Sequence, residues 1–168
     1  MTGKTHISCG LLIGALSINY FHTEIFTSVT IMTLAVISSI FPDICHTRSI
    51  IGRRFKLISF IVRMLFGHRT FTHSLLFMII IGALLVFIQS PTRYIVTIML
   101  GLISHVILDM LTSRGVKLFY PLPINVRFPF VCRTGGLVDL SLASAITVGT
   151  CYVLLRPFID PFISQWIH

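Results

Sequence analysis

Gly67-His68-Arg69-Thr70-Phe71-Thr72-His73-Ser74 runs directly into an unbroken apolar stretch, residues 75–88. Two imidazoles, a guanidinium and three hydroxyls therefore stand at the mouth of a segment that reads as a membrane helix. These are groups suited to holding a metal ion together with a phosphate oxygen. Polar side chains so close to hydrocarbon must be satisfied by partners. The rest of the chain is expected to bring matching groups to the same depth.

Composition places the chain in a bilayer. Of its 168 residues 55% are hydrophobic and only 11% charged, with a mean hydropathy of +0.94. A soluble domain carries about a quarter charged residues, so the whole chain, 1–168, reads as one integral membrane domain. The net charge of +8 would signal nucleic acid if it were clustered. Lysine and arginine instead fall between apolar runs, as the positive-inside rule requires, and no nucleic-acid partner is expected. The four cysteines show no CxxC spacing, which argues against a disulfide framework.

Outward from the opening stretch, further apolar runs cover residues 7–21, 26–44, 94–112 and 137–155. With 72–89, this predicts an all-α, polytopic bundle of about five transmembrane helices. Residues 51–66 mix Arg53, Arg54, Lys56 and Arg63 with large apolar side chains. Lys56 and Arg63 are seven apart and share a helical face, which predicts one amphipathic helix in the membrane interface. A polar connection rich in proline and glycine spans 113–136.

Basic residues give the orientation. With the N-terminus cytoplasmic, inside segments hold Lys4, the six basic residues from Arg48 to Arg69, and Arg114, Lys117, Arg127 and Arg133, leaving only Arg93 and Arg156 outside. The C-terminus then lies on the far side. On this topology His6, Asp43, His46, His68, His73, His105, Asp109 and Asp139 all fall in the cytoplasmic half. His105 and Asp109 are four apart and project from one helical face, with His105 roughly 10 Å inward from Thr112. A charge inside a bilayer costs about 2.5–3.5 kcal/mol on insertion scales. Aspartates and histidines converging at one depth call for a compensating cation, and imidazole with carboxylate favours zinc, or else manganese or iron.

Each residue also has a plainer reading. His105 alone would be a helix-packing hydrogen bonder, but its pairing with Asp109 favours ligation. Asp43 after Pro42 could be a turn residue, Asp139 a helix N-cap, and His68 and Arg69 interfacial snorkelling groups. His6 could be ordinary interface polarity. The basic stretch 52–66 could simply anchor the chain to anionic lipid headgroups, or Arg53 and Arg54 could guide such a headgroup to the site.

Pro42-Asp43-x-x-His46-x-x-Ser49, His68-Arg69-x-x-Thr72-His73-Ser74 and His105-x-x-x-Asp109-x-x-Thr112-x-x-Gly115, followed by Tyr120-Pro121, resemble the YdjM family. That family comprises bacterial inner-membrane proteins described as metal-dependent hydrolases, related to the all-helical zinc-dependent phospholipase C and P1 nuclease superfamily. The resemblance runs from about Thr5 to Asp139. It implies that His105 and Asp109 form an HxxxD ligand pair, with Asp43 and His73 as companions. The chain departs from the family pattern at Cys45, where an aspartate is usual, and at Thr70, where glycine is usual. The first exchanges a hard oxygen ligand for sulfur; the second alters backbone freedom.

Together these readings predict a phospholipase C-like hydrolase at the cytoplasmic leaflet of the bacterial inner membrane, acting on a phospholipid or other lipid-linked phosphate. Asp43, His73, His105 and Asp109 are the expected metal ligands, joined by His46 and His68 if a second ion binds, with His6 a further candidate ligand. Arg69 would neutralise charge on the phosphoryl group, and Ser74, Arg53 and Arg54 would contact substrate. Asp43 and Asp139 are both candidates for general base, and the sequence does not choose between them. Two rivals are a proton or metal-ion carrier, since intramembrane Asp and His also mark ion pathways, and a non-catalytic scaffold with a structural metal. The oligomeric state is not legible.

Overall fold

A computed structural model describes residues 1–67 and 69–167. Among the described residues the chain is all-helical, with α1 (Gly3–Phe21), α2 (Ile25–Ile40), α3 (Ile50–Arg54), α4 (Lys56–Phe66), α5 (Leu75–Phe87), α6 (Thr92–Met110) and α7 (Leu137–Ile167). Two 3₁₀ turns, Phe41–Cys45 and Phe71–His73, follow α2 and precede α5.

Among the described residues three helical segments are long and apolar enough to cross a membrane: Ile25–Cys45, Thr92–Met110 and Leu137–Pro157. The expected count of five is not reached, for two reasons. The α5 helix has 13 residues, about 20 Å at 1.5 Å per residue, against a hydrocarbon core of about 30 Å. The α1 helix is long enough but carries Lys4, Thr5, His6, Ser8, Ser17 and Asn19, which dilute its apolar character. The apolar side chains on the outside fit a lipid environment: Phe26 and Phe87 are 89% and 84% exposed, which water would penalise and acyl chains would not.

Helices α1, α2 and α6 cross closely because small residues line their contacts. A Cβ at Gly10 of α1 would lie 2.4 Å from Ser39 Oγ and 2.9 Å from Val36 Cα, and one at Gly101 of α6 would lie 1.9 Å from Ser38 Oγ. Ala35 is fully buried beside both. Such small-residue seams let backbones approach where hydrophobic burial no longer drives association. Gly101→Val is therefore expected to destabilise the protein by about 1–3 kcal/mol, the usual range for overpacking. The measurement is the midpoint of thermal unfolding in detergent. Gly149→Val on α7 is the control, since nothing lies within 4 Å of its Cβ position.

The single amphipathic helix expected over 51–66 is two helices, α3 and α4, broken at Phe55 (φ −117°, ψ 58°). The chain turns because α3 is clamped against the preceding loop. Ser49 Oγ accepts from Gly52 N at 2.9 Å and donates to the Asp43 carbonyl at 2.8 Å. A Cβ at Gly52 would lie 2.0 Å from His46 O. In α4 only Ser59 is buried, and Leu57, Phe60 and Met64 are exposed beside Lys56 and Arg63. That pattern suits a helix lying in the interface.

The connection 111–136 folds back over one end of the bundle. Lys117 N donates to Arg69 O, Leu75 N to Leu118 O, and Cys132 N to Leu111 O. Isolated bridges pair Thr112 with Cys132 and Val116 with Val126. Val116 packs into the apolar cluster of Phe77, Met78, Leu102 and Val106. The end of α6 and the loop before α5 are thereby fixed against each other.

Candidate metal centre

Four side chains from three parts of the chain meet under that connection. Asp43 comes from the 3₁₀ turn that Pro42 initiates at the end of α2. His73 ends the 3₁₀ turn before α5, while His105 and Asp109 lie one turn apart on α6. Each offers one ligand atom, and these atoms all lie within 4.8 Å of one another. His73 Nε2 is 3.1 Å from His105 Nε2, 3.4 Å from Asp109 Oδ2 and 4.0 Å from Asp43 Oδ1. His105 Nε2 is 3.9 Å from Asp43 Oδ1 and 3.8 Å from Asp109 Oδ2. Donor atoms about 2.0–2.1 Å from a tetrahedral zinc stand about 3.3–3.4 Å apart. The pairwise separations just given run from 3.1 to 4.0 Å, on both sides of that value, and the whole set lies within 4.8 Å, so a small inward movement of the donors would let them hold a divalent ion.

The imidazoles are oriented for ligation. His105 Nδ1–H donates to the Ser39 carbonyl at 2.7 Å, which leaves Nε2 with its lone pair toward the cluster. His73 Nδ1 lies 3.0 Å from Thr72 Oγ1, so its Nε2 also faces inward. His105, Asp109 and His73 are essentially excluded from solvent, and Asp43 is 20% exposed.

Further nitrogen groups surround Asp109. The Met1 amino group lies 2.6 Å from Oδ1, His6 Nε2 3.4 Å from the same oxygen, and Arg69 Nη2 2.9 Å from Oδ2. His6 also stacks on His105 with ring centroids 3.9 Å apart. Neither His6 nitrogen makes a hydrogen bond, and the ring adjoins the four-residue cluster without being one of its donors. Arg69 is held by Thr112 as well: its Nη1 donates to Thr112 Oγ1 at 2.8 Å, and that hydroxyl donates to the Asp109 carbonyl at 2.7 Å. Arg69 adopts φ 58°, a left-handed conformation uncommon outside glycine that the contacts around it must hold in place.

Burial, the largest influence on His73, opposes charge on its ring, but hydrogen bonding and attraction from Asp109, joined by Cys45, raise it to about 9. The free imidazole thus holds a proton that a metal ion must displace. Below pH 9 apparent zinc affinity is expected to fall about tenfold per pH unit for one displaced proton. A competition titration with a chromophoric chelator at pH 7, 8 and 9 measures this. Flat affinity would mean that no proton is displaced from His73 when the metal binds.

The remaining expected residues divide. His46 lines a cavity of about 650 Å³ beside the cluster, its Nδ1 accepting from Arg48 N at 3.0 Å. Arg53 lines a side cavity that shares Asp43, Arg48 and Ser49 with the larger one. Arg54 is exposed at the end of α3 and lines neither. His68 lies outside the described residues. Ser74 is fully buried and caps α5, accepting from Phe77 N and donating to Phe71 O; its hydroxyl is used within the fold rather than turned to a substrate.

Asp139 is not brought into the cluster. It accepts from Gly135 N at 2.8 Å, Thr2 N at 3.0 Å and the Thr5 hydroxyl, tying the starts of α1 and α7 together. Asp139 is the third residue of α7 and so not its N-cap as expected; its oxygens are engaged by the backbone before α7 and by the start of α1. Thr70, the departure from the family's glycine, is accommodated by a hydroxyl hydrogen bond to the Phe66 carbonyl. Cys45, the other departure, is buried and interacts with His73. Sequence reasoning passed over Thr112 as the group that holds Arg69, although its position three residues after Asp109 was the available signal.

Fold and site together define a helical membrane protein with a buried His/Asp cluster able to hold a metal ion. The chain belongs to the YdjM inner membrane protein family, whose profile matches residues 1–162. It is 41% identical over 162 residues to the uncharacterized protein YvsG of Bacillus subtilis (strain 168), covering 94% of this chain and 97% of that one. The inner membrane protein YdjM of Escherichia coli (strain K12) is 32% identical over 130 residues, 73% of this chain and 66% of its own length. No solved structure matches.

Proposed function

We propose that the protein is a membrane-embedded, metal-dependent hydrolase that cleaves a phosphoester, on a phospholipid or other lipid-linked phosphate, at the cytoplasmic leaflet. The observation that carries this reading is the meeting of Asp43, His73, His105 and Asp109 beside a 650 Å³ cavity that Arg69 also lines. A metal-binding group next to a fixed guanidinium, open to a ligand-sized space, is what phosphoester hydrolysis needs.

In this reading the four residues hold the ion, zinc by donor chemistry with manganese or iron as alternatives. Such an ion supplies a water of lowered pKa and polarises a phosphoryl oxygen. Arg69, locked by Asp109 and Thr112, presents its guanidinium to the phosphoryl group as negative charge builds. Asp43, the most exposed of the four and a wall of the cavity, is the carboxylate placed to take a proton from the attacking water. His46, on the cavity wall, and His68 would join if a second ion binds.

The wider arrangement follows the charge distribution. The site faces the cytoplasm with the N-terminus inside, α1 and α5 complete a five-crossing bundle, and the bilayer thins locally to meet the short α5. Depth favours a lipid substrate, because a site just below the interface meets headgroups before soluble molecules.

The test is release of inorganic phosphate or a phosphorylated headgroup from a mixed lipid extract by the zinc-loaded protein in detergent. Metal-dependent release supports the proposal. Bound metal with no release from any lipid would replace it with a structural-metal scaffold, and metal or proton flux in sealed vesicles would replace it with a carrier.

A further inference from the structure

We infer that the cavity beside the cluster holds a second anion-binding site, formed by Arg48, Arg114 and Arg133, so that the molecule it takes carries two phosphate-like groups. This rests on the phosphoester reading of the cluster and extends it to the class of substrate: a diphosphate rather than a monophosphate.

Four arginines line the 650 Å³ cavity, against a single carboxylate, Asp43, which belongs to the cluster. Arg69 is engaged with Asp109 and Thr112 and so serves the cluster end. Arg48, Arg114 and Arg133 are exposed and make no ion pair among the described residues. They come from three places in the chain: the loop between α2 and α3, and the two ends of the connection between α6 and α7. The bridge of Thr112 to Cys132, with Cys132 N donating to Leu111 O at 2.7 Å, brings those two ends to one rim.

Like charges gathered on one wall repel unless an anion lies between them, and a cleft of one sign concentrates anions. Guanidinium forks match phosphate oxygens in pairs. A single phosphate at the metal would be served by Arg69 alone and would fill little of a cavity this large. Charges kept only for the positive-inside bias need no common cavity, and Arg54, Lys56 and Arg63 show that alternative by lying outside it.

Calorimetric titration of the zinc-loaded protein with inorganic pyrophosphate and with orthophosphate tests the inference. Pyrophosphate is expected to bind at least about tenfold more tightly. The triple variant Arg48→Gln, Arg114→Gln, Arg133→Gln should lose that preference while zinc content and orthophosphate affinity stay unchanged. A preference that survives in the variant would come from the metal alone and overturn the inference, as would its absence in the wild type. An alkyl diphosphate in mixed micelles identifies the source: binding tighter than pyrophosphate assigns a lipid diphosphate, and equal binding a soluble one. Arginine-dependent preference without phosphate release from any lipid would keep this site and remove the hydrolase reading; hydrolysis without the preference would do the reverse.

Discussion

Asp109→Asn is expected to strip the protein of its metal and, with it, of phosphoester hydrolysis. Loss of a group that merely orients a metal ligand costs about 10–100-fold in affinity, and loss of a charged ligand should cost more. Asp109 is also the anion that the Met1 amino group, His6, His73 and Arg69 share. Neutralising it leaves the Met1 amino group and the Arg69 guanidinium without their counter-charge in a buried place, so stability should fall together with metal content. Asparagine keeps the volume, which makes it a better probe than alanine. His105→Ala supplies an independent reading, because it removes a ligand without removing a negative charge. Both variants should lose metal, and both should lower the thermal midpoint. Asp109→Asn does so through uncompensated charge and His105→Ala through the cavity and the unpaired Ser39 carbonyl it leaves, so metal content is compared per folded protein.

Arg69→Lys is expected to lower kcat by about 10²–10³-fold, the range found when one preorganised donor to a developing oxyanion is removed, while metal content stays near that of the wild type. Lysine keeps the charge and tolerates the same backbone. It cannot reach Asp109 Oδ2 and Thr112 Oγ1 at once, as Nη2 and Nη1 of Arg69 do at 2.9 and 2.8 Å. Its mobile ammonium would therefore meet the phosphoryl group without fixed geometry. Steady-state kinetics with a phosphate-release readout, paired with elemental analysis, checks this. Unchanged kcat would remove Arg69 from the reaction, and lost metal would make it a structural support of Asp109 instead.

Most of the cluster was legible because its residues obey local rules. His105 and Asp109 announce themselves at one-turn spacing, and Asp43 and His73 flank helices whose ends the hydropathy pattern marks. What joins them across the fold was not legible in the same way. Asp139 reads as a helix N-cap or a general base, yet its partners Thr2 and Thr5 lie more than a hundred positions away, and no periodicity signals that contact. Ser74 sits among site residues in the sequence but is spent on capping α5.

Arg114 and Arg133 read as orientation signals, since only the pairing of the two ends of the connection shows that they face one cavity. The span count suffered from a related limit. Hydropathy runs through the 3₁₀ turn and cap before α5 and so overstates the helix that follows. In α1, composition alone cannot tell polar residues turned toward the site from ones that shorten a span.

The central claim is that Asp43, His73, His105 and Asp109 share a metal ion, and elemental analysis of the purified protein tests it most directly. The wild type should carry about one divalent ion per chain or more, and His105→Ala should carry far less at equal folded yield. Near-zero metal in folded wild-type protein, even after zinc is supplied at pH 9, would contradict the claim, as would metal content indifferent to both His105→Ala and Asp109→Asn.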